Sequence, residues 1–154
     1  MNLDSMYREV ILDHYKHPHG RGLRDGDAEA HHVSPTCGDE ITLRVKLDGR
    51  VVKDVSYEGQ GCSISQASAS VLNTLLVGRD LDEAERIRGA FLELMQSKGR
   101  TAPDEAAEAV LDDAVAFAGV SKYPARVKCA LLSWMAWRDA TDRALAAAGG
   151  PAPA

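Results

Sequence analysis

Residues 41–66 read ITLRVKLDGRVVKDVSYEGQGCSISQ, and the change of period inside this stretch decides the fold. Ile41, Leu43, Val45 and Leu47 alternate with Thr42, Arg44 and Lys46; beyond Asp48-Gly49, Val51, Val55 and Tyr57 alternate with Asp54, Ser56 and Glu58. A period of two is that of a strand with one buried face. Asp-Gly between two such runs marks a hairpin. A two-residue loop would set Leu43 opposite Asp54 and Ile41 opposite Ser56, because a slip of one residue turns every side chain over. A three-residue loop with Gly49 in the left-handed conformation restores apolar pairing and is the loop expected. From Ser63 the period becomes helical. Ser63-Ile64-Ser65-Gln66 fits a capping box, with Ser63 at the N-cap and Gln66 at N3.

Upstream, Leu3, Met6, Tyr7, Val10, Ile11 and Tyr15 recur at helical spacing and predict a helix over residues 3–16. His17-Pro18-His19-Gly20 ends it, since proline cannot continue the ladder. Residues 20–28 read as a loop, and 29–36 as a third strand. Downstream, the helix opened at Ser63 runs to Val77-Gly78. Asp80-Leu81-Asp82-Glu83 starts another, with Ala84, Ile87, Phe91, Leu94 and Met95 on one face and Gly99 closing it. Residues 100–119 hold Pro103 and one or two short helices. Pro124 opens a last helix that carries Val127, Leu131, Trp134, Met135 and Arg138 and ends near Ala148. Gly149 to Ala154 read as a disordered tail. The expectation is an α+β fold in one domain, residues 1–148: a small antiparallel sheet of about three strands, packed with an N-terminal helix and several C-terminal helices.

The 154 residues suffice for one core of ordinary size, and 45% hydrophobic against 27% charged residues speaks against disorder. A net charge of −5 argues against a nucleic-acid protein, which needs a basic face. No basic segment followed by an apolar run opens the chain, which argues against a secretory signal. No apolar run approaches the roughly 20 residues of a membrane helix. A soluble, cytoplasmic protein is expected. Its three cysteines are too few and odd in number for a disulfide scaffold, so metal or thiol chemistry is the better question.

Cys37 lies in Pro35-Thr36-Cys37-Gly38-Asp39-Glu40, a bend before a strand, where Cys37 and Asp39 can turn to one metal. Cys62 lies in Gly59-Gln60-Gly61-Cys62-Ser63, between strand and helix. The glycines there permit close backbone approach, and the helix dipole favours a thiolate. Cys129 follows Pro124-Ala125-Arg126-Val127-Lys128 in the first turns of the last helix, beside two cations. None of the three falls mid-core by pattern. Three thiolates and a carboxylate make a four-donor set of the kind zinc takes. No pair has C-x-x-C spacing, however, and free cysteines are often small buried hydrophobes. The pattern alone leaves both readings open.

The segments Cys37-Gly38-Asp39, Gly59-Gln60-Gly61-Cys62-Ser63-Ile64-Ser65 and Arg126-Val127-Lys128-Cys129-Ala130 resemble the three signature segments of the NifU-N/IscU-like family of iron–sulfur cluster assembly proteins. Tyr7-Arg8-Glu9-Val10-Ile11-Leu12-Asp13-His14-Tyr15 resembles that family's first helix. Lys128, where the IscU branch has a histidine, and the long Cys62–Cys129 interval look like the SufU branch. The resemblance implies an IscU-like fold and zinc held by Cys37, Asp39, Cys62 and Cys129. It also implies sulfur accepted from a PLP-dependent, SufS-like cysteine desulfurase, with Cys37 taking the persulfide and downstream iron–sulfur assembly proteins as further partners. Arg126 matches a family position and either contacts the partner, orients the site, or is an ordinary surface cation; Lys128 is a second candidate for contacting the partner or orienting the site. The alternative is a scaffold on which a transient [2Fe–2S] cluster is built; zinc that only staples the fold is a third reading.

Other features have plainer readings. His14, His17 and His19 gather at a helix end, where a cation suits the dipole. Trp134 and Trp137 are expected to pack, and the acidic run Asp104–Asp113 to face solvent, with docking of the desulfurase as the alternative role of this insertion. Gly59-Gln60-Gly61 lacks the further glycine of a dinucleotide loop.

Overall fold

The computed structural model describes residues 3–34, 38–97 and 105–148. Along the chain run α1 (Leu3–Lys16), β1 (Ala28–Val33), β2 (Glu40–Asp48), β3 (Val51–Gln60), α2 (Ser63–Leu76), α3 (Leu81–Gln96), α4 (Glu105–Leu111), a 3₁₀ helix (Asp112–Lys122) and α5 (Pro124–Ala148). The strands form one antiparallel sheet in the order β1-β2-β3. α5 packs on β1 and β2, and α2 packs against β3, α1 and α5.

Apolar pairing across β2 and β3 is achieved, but not by the loop expected. Asp48 pairs with Val51, so the loop is two residues, Gly49-Arg50, with Gly49 at φ 62°. A bulge after Leu47↔Val52 leaves Lys53 without a partner and shifts the register. Beyond it Val45 faces Val55 and Leu43 faces Tyr57, all four buried. The bulge supplies the odd residue that the loop does not.

The stretch after α1 is not a free loop. Gly22 N donates to Tyr57 O (2.7 Å) and Tyr57 N to Gly20 O (3.1 Å), covering the outer edge of β3. Arg24 grips both oxygens of Asp54 (2.8 and 2.9 Å), a hydrogen-bonded pairing that holds that carboxyl below its usual range. Burial pushes the Tyr57 phenol up to about 12.

Two further expectations change. Ser63 is the first residue of α2 rather than its cap; Cys62 stands at the N-cap with no side-chain cap bond, and Gln66 reaches instead for Gly59 O (3.5 Å). Residues 112–122 wind as a 3₁₀ helix, far longer than the three or four residues usual for that geometry. Asp112 enters it at φ 46°, a conformation that aspartate tolerates better than most residues. The start of α3 is as expected, with Asp80 accepting from Glu83 N at 2.8 Å and all five face residues buried. The acidic side chains of Glu105, Glu108, Asp112 and Asp113 are exposed, as expected. Expectations for Pro35 and Thr36 as strand, Gly99 as helix stop, Pro103 and the tail 149–154 lie outside the described residues.

Candidate metal centre

The β2–β3 ladder ends at Glu40↔Gln60, so Asp39 and Gly61 leave the sheet side by side, one residue from Cys62. Gly59 permits this closeness: a Cβ there would run into Glu40 O. The β1–β2 connection is closed by Ser34 N to Asp39 O and Gly38 N to Ser34 O, both 2.8 Å, with Gly38 at φ 72°. Those two bonds hold Asp39, which is 3% exposed.

The Asp39 carboxylate is divided between two tasks. Oδ1 accepts from the Cys62 backbone N–H (3.1 Å), and Oδ2 lies 3.5 Å from Cys62 Sγ. Gly61 makes room for it, since a Cβ at that position would sit 2.6 Å from Asp39 Oδ1 and 2.5 Å from Ser65 Oγ. Ser65 Oγ donates to Cys62 O (3.0 Å) and lies 3.9 Å from Cys62 Sγ.

Cys129 comes from α5. One donor atom each from Asp39, Cys62 and Cys129 lies within 4.8 Å of the others. Two donors on one tetrahedral zinc ion stand roughly 3–4 Å apart, given metal–ligand lengths of about 2.0–2.3 Å. The two sulfurs and the oxygen therefore need only a small contraction to share an ion. Among the described residues this is the one group with such spacing. Cys129 is only 2% exposed, more deeply buried than its place near a helix end suggested, and its Sγ lies 3.6 Å from Ala125 O. Cys62 is partly exposed. Cys37 lies outside the described residues.

Serines on α2, which the sequence pattern placed in a capping box or gave no task, tie the donors together. Ser68 on α2 is fully buried; its Oγ donates to Ala130 O (2.6 Å), beside Cys129, and accepts from Trp134 Nε1 (3.0 Å). The helix carrying Cys62 is thereby latched to the turn carrying Cys129. The signal was present in Ser63, Ser65, Ser68 and Ser70, repeated along an otherwise apolar helix. Trp134 also stacks on Phe91 (ring centroids 4.5 Å apart), so it packs, as expected.

The described side chains of Arg126 and Lys128 are exposed and are not among the donors. No histidine joins the group either. His14, expected as a terminal cation, is buried between Ser70 Oγ (2.7 Å) and Asp113 Oδ2 (2.9 Å), tying α1 to α2 and the 3₁₀ helix. His32 meets Asp139 (3.0 Å) and His31 meets Glu40 (3.3 Å). No helix among the described residues is long and apolar enough to cross a membrane.

The family description "NifU-like N terminal domain" matches residues 6–130. The zinc-dependent sulfurtransferase SufU of Bacillus subtilis is 46% identical over 135 residues, 88% of either chain. The iron–sulfur cluster assembly scaffold protein IscU of Streptococcus pyogenes is 38% identical over 141 residues, 92% of this chain and 86% of that one. Among solved structures, a candidate iron–sulfur cluster assembly scaffold protein for the SUF system from Fervidobacterium islandicum superposes with a TM-score of 0.74 at 34% identity. That likeness covers 86% of this chain and 93% of the other.

Proposed function

Since this chain belongs to the family of NifU-like N-terminal domains, we propose that it serves iron–sulfur cluster assembly as a zinc-holding sulfurtransferase. Its sulfur comes from a PLP-dependent, SufS-like cysteine desulfurase in the cytoplasm. The observation that carries the reading is the meeting of two sulfurs and one carboxylate oxygen from three separate elements within 4.8 Å. Cys37, two residues before Asp39, is the fourth ligand in this reading. Bound there, zinc supplies positive charge that keeps thiolates deprotonated, and it neither gives nor takes electrons.

The transfer itself is carried by this chain's thiol. The Cys37 thiolate attacks the outer sulfur of the desulfurase cysteine persulfide, a new S–S bond forms on Cys37, and the old one breaks. The desulfurase cysteine leaves as a thiolate, so no oxidant or reductant is consumed. Asp39, Cys62 and Cys129 stay as holders, because Ser65, Ser68 and the closed β1–β2 connection fasten them. Similarity to the SufU of B. subtilis supports transfer. The scaffold named in the other relatives supports a second reading, against which Lys128 stands in place of the IscU-branch histidine.

The test is sulfur acceptance from a desulfurase by the wild type and by Cys37→Ala, with zinc content measured alongside. The expected result is loss of acceptance and of desulfurase stimulation in the variant, with one zinc per chain in the wild type. Unchanged acceptance would sink the assignment of Cys37, and a stable iron chromophore on the purified wild type would favour the scaffold.

A further inference from the structure

A groove of about 450 Å³ opens between α1, the start of α2, the 3₁₀ helix and the start of α5. It adjoins the metal centre along the chain: Ser63 in its wall follows Cys62, and Arg126 stands one helical turn before Cys129. Three cations line it, Arg8, Lys122 and Arg126, and no carboxylate does among the described residues. None of the three has an ion-pair partner among the described residues. In a chain of net charge −5 this is a local reversal of sign. Between the cations the walls are apolar, with Leu12, Ile64 and Tyr123.

The exposure of the rim selects the kind of occupant. Tyr123 is 60% and Leu12 40% exposed. A small molecule is ordinarily held with about 70–90% of its surface buried, which walls this open do not provide. Arginine and tyrosine around an apolar floor are the residues that dominate contacts between proteins. We infer that the groove receives an acidic segment, carrying an apolar side chain, from the protein that donates sulfur to the adjoining thiols. This rests on the sulfur-transfer reading and adds to it the surface and the charge of the partner. The three cations steer and orient the acidic segment, and Tyr123 with Leu12 and Ile64 takes the apolar side chain.

The experiment is titration of the zinc-loaded full chain with the holoenzyme desulfurase of the same genome, at low and high salt. Reversing the groove with Arg8→Glu, Lys122→Glu and Arg126→Glu together weakens binding by roughly 100-fold at low salt and leaves zinc content unchanged. The deficit shrinks as salt rises, because exposed charges are screened. Tyr123→Ala weakens binding to a similar degree at both salts. Arg138→Glu, on the same helix but outside the groove, binds as wild type does. Wild-type-like binding by the triple variant, a loss that ignores salt, or an equal loss in Arg138→Glu overturns the inference. Two outcomes reassign the groove and overturn it as well: saturation by inorganic phosphate without effect on the desulfurase, or a change of oligomeric state with desulfurase binding intact. A wild type that takes sulfur while the triple variant binds equally overturns the groove alone. A wild type that neither binds the desulfurase nor takes its sulfur overturns the transfer reading too.

Discussion

Helices α2 and α3 begin in opposite ways. At α3 the N-cap is Asp80, whose carboxylate accepts the Glu83 amide at 2.8 Å, the local solution that helix starts favour. At α2 the same position holds Cys62, which makes no cap bond and presents its sulfur to Asp39 instead. Ser63, a good capping residue, sits one place too late. A cap of that kind is worth about 1 kcal/mol, so α2 forgoes a real stabilisation to put a sulfur where the sheet delivers a carboxylate. Departures from local rules gather at functional sites, and this one marks the site better than the cysteine alone does.

The largest effect is expected from undoing that departure. Cys62→Ser installs a favoured cap and removes a donor. Metal affinity, read by competition with a chelator, falls by about 100-fold or more, and sulfur acceptance falls with it. The metal-free protein, read by urea unfolding, gains about 0.5–1 kcal/mol. Opposite signs in the two measurements sharpen the comparison. Retained metal affinity would break it, because Cys62 would then be an uncapped N-cap without a reason.

A smaller effect is expected one residue earlier. Gly61→Ala places a Cβ 2.6 Å from Asp39 Oδ1, and the carboxylate must yield, since the backbone on either side is held by the sheet and by α2. Metal affinity falls by about 10-fold, the size expected when a ligand loses its orientation and is not deleted. The same substitution with unchanged affinity would mean that Asp39 does not need its place against Gly61 to act as a donor.

The same contrast explains what could be read from the residues. Period gave the sheet, α1 and the face of α3, because burial of one face is what shapes those elements, and Pro124 gave the start of α5. It could not choose between an odd loop and a bulge. Both shift register by one, and apolar pairing of Leu43 with Tyr57 reports only that shift. It misplaced the α2 cap because propensity favours Ser63, while the position is decided by a carboxylate 23 residues back in the sequence. It read His14 as a helix-end cation because Ser70 and Asp113 lie 56 and 99 residues away. The convergence of Asp39, Cys62 and Cys129 was legible only through the resemblance; spacing left it open, since it depends on the ladder ending at Glu40↔Gln60 and on Ser68 latching α2 to α5.

The smallest effect is expected at the other helix start. Asp80→Ala removes the carboxylate that holds Glu83 N and costs about 1 kcal/mol, which for a chain of this length lowers the melting temperature by about 2–4 °C. The cost stays near that value because α3 has other moorings: Leu81 N donates to Arg50 O at 2.7 Å, and Val51 bridges to Asp80 through the backbone. The exposed Arg50–Asp82 pair adds little, being open to water. Zinc affinity stays as in the wild type, for none of the three donors sits on α3. A drop in affinity on this substitution, measured in the same chelator competition, would show that the two helix starts are coupled. The division between a start shaped by stability and a start shaped by the metal centre would then be wrong.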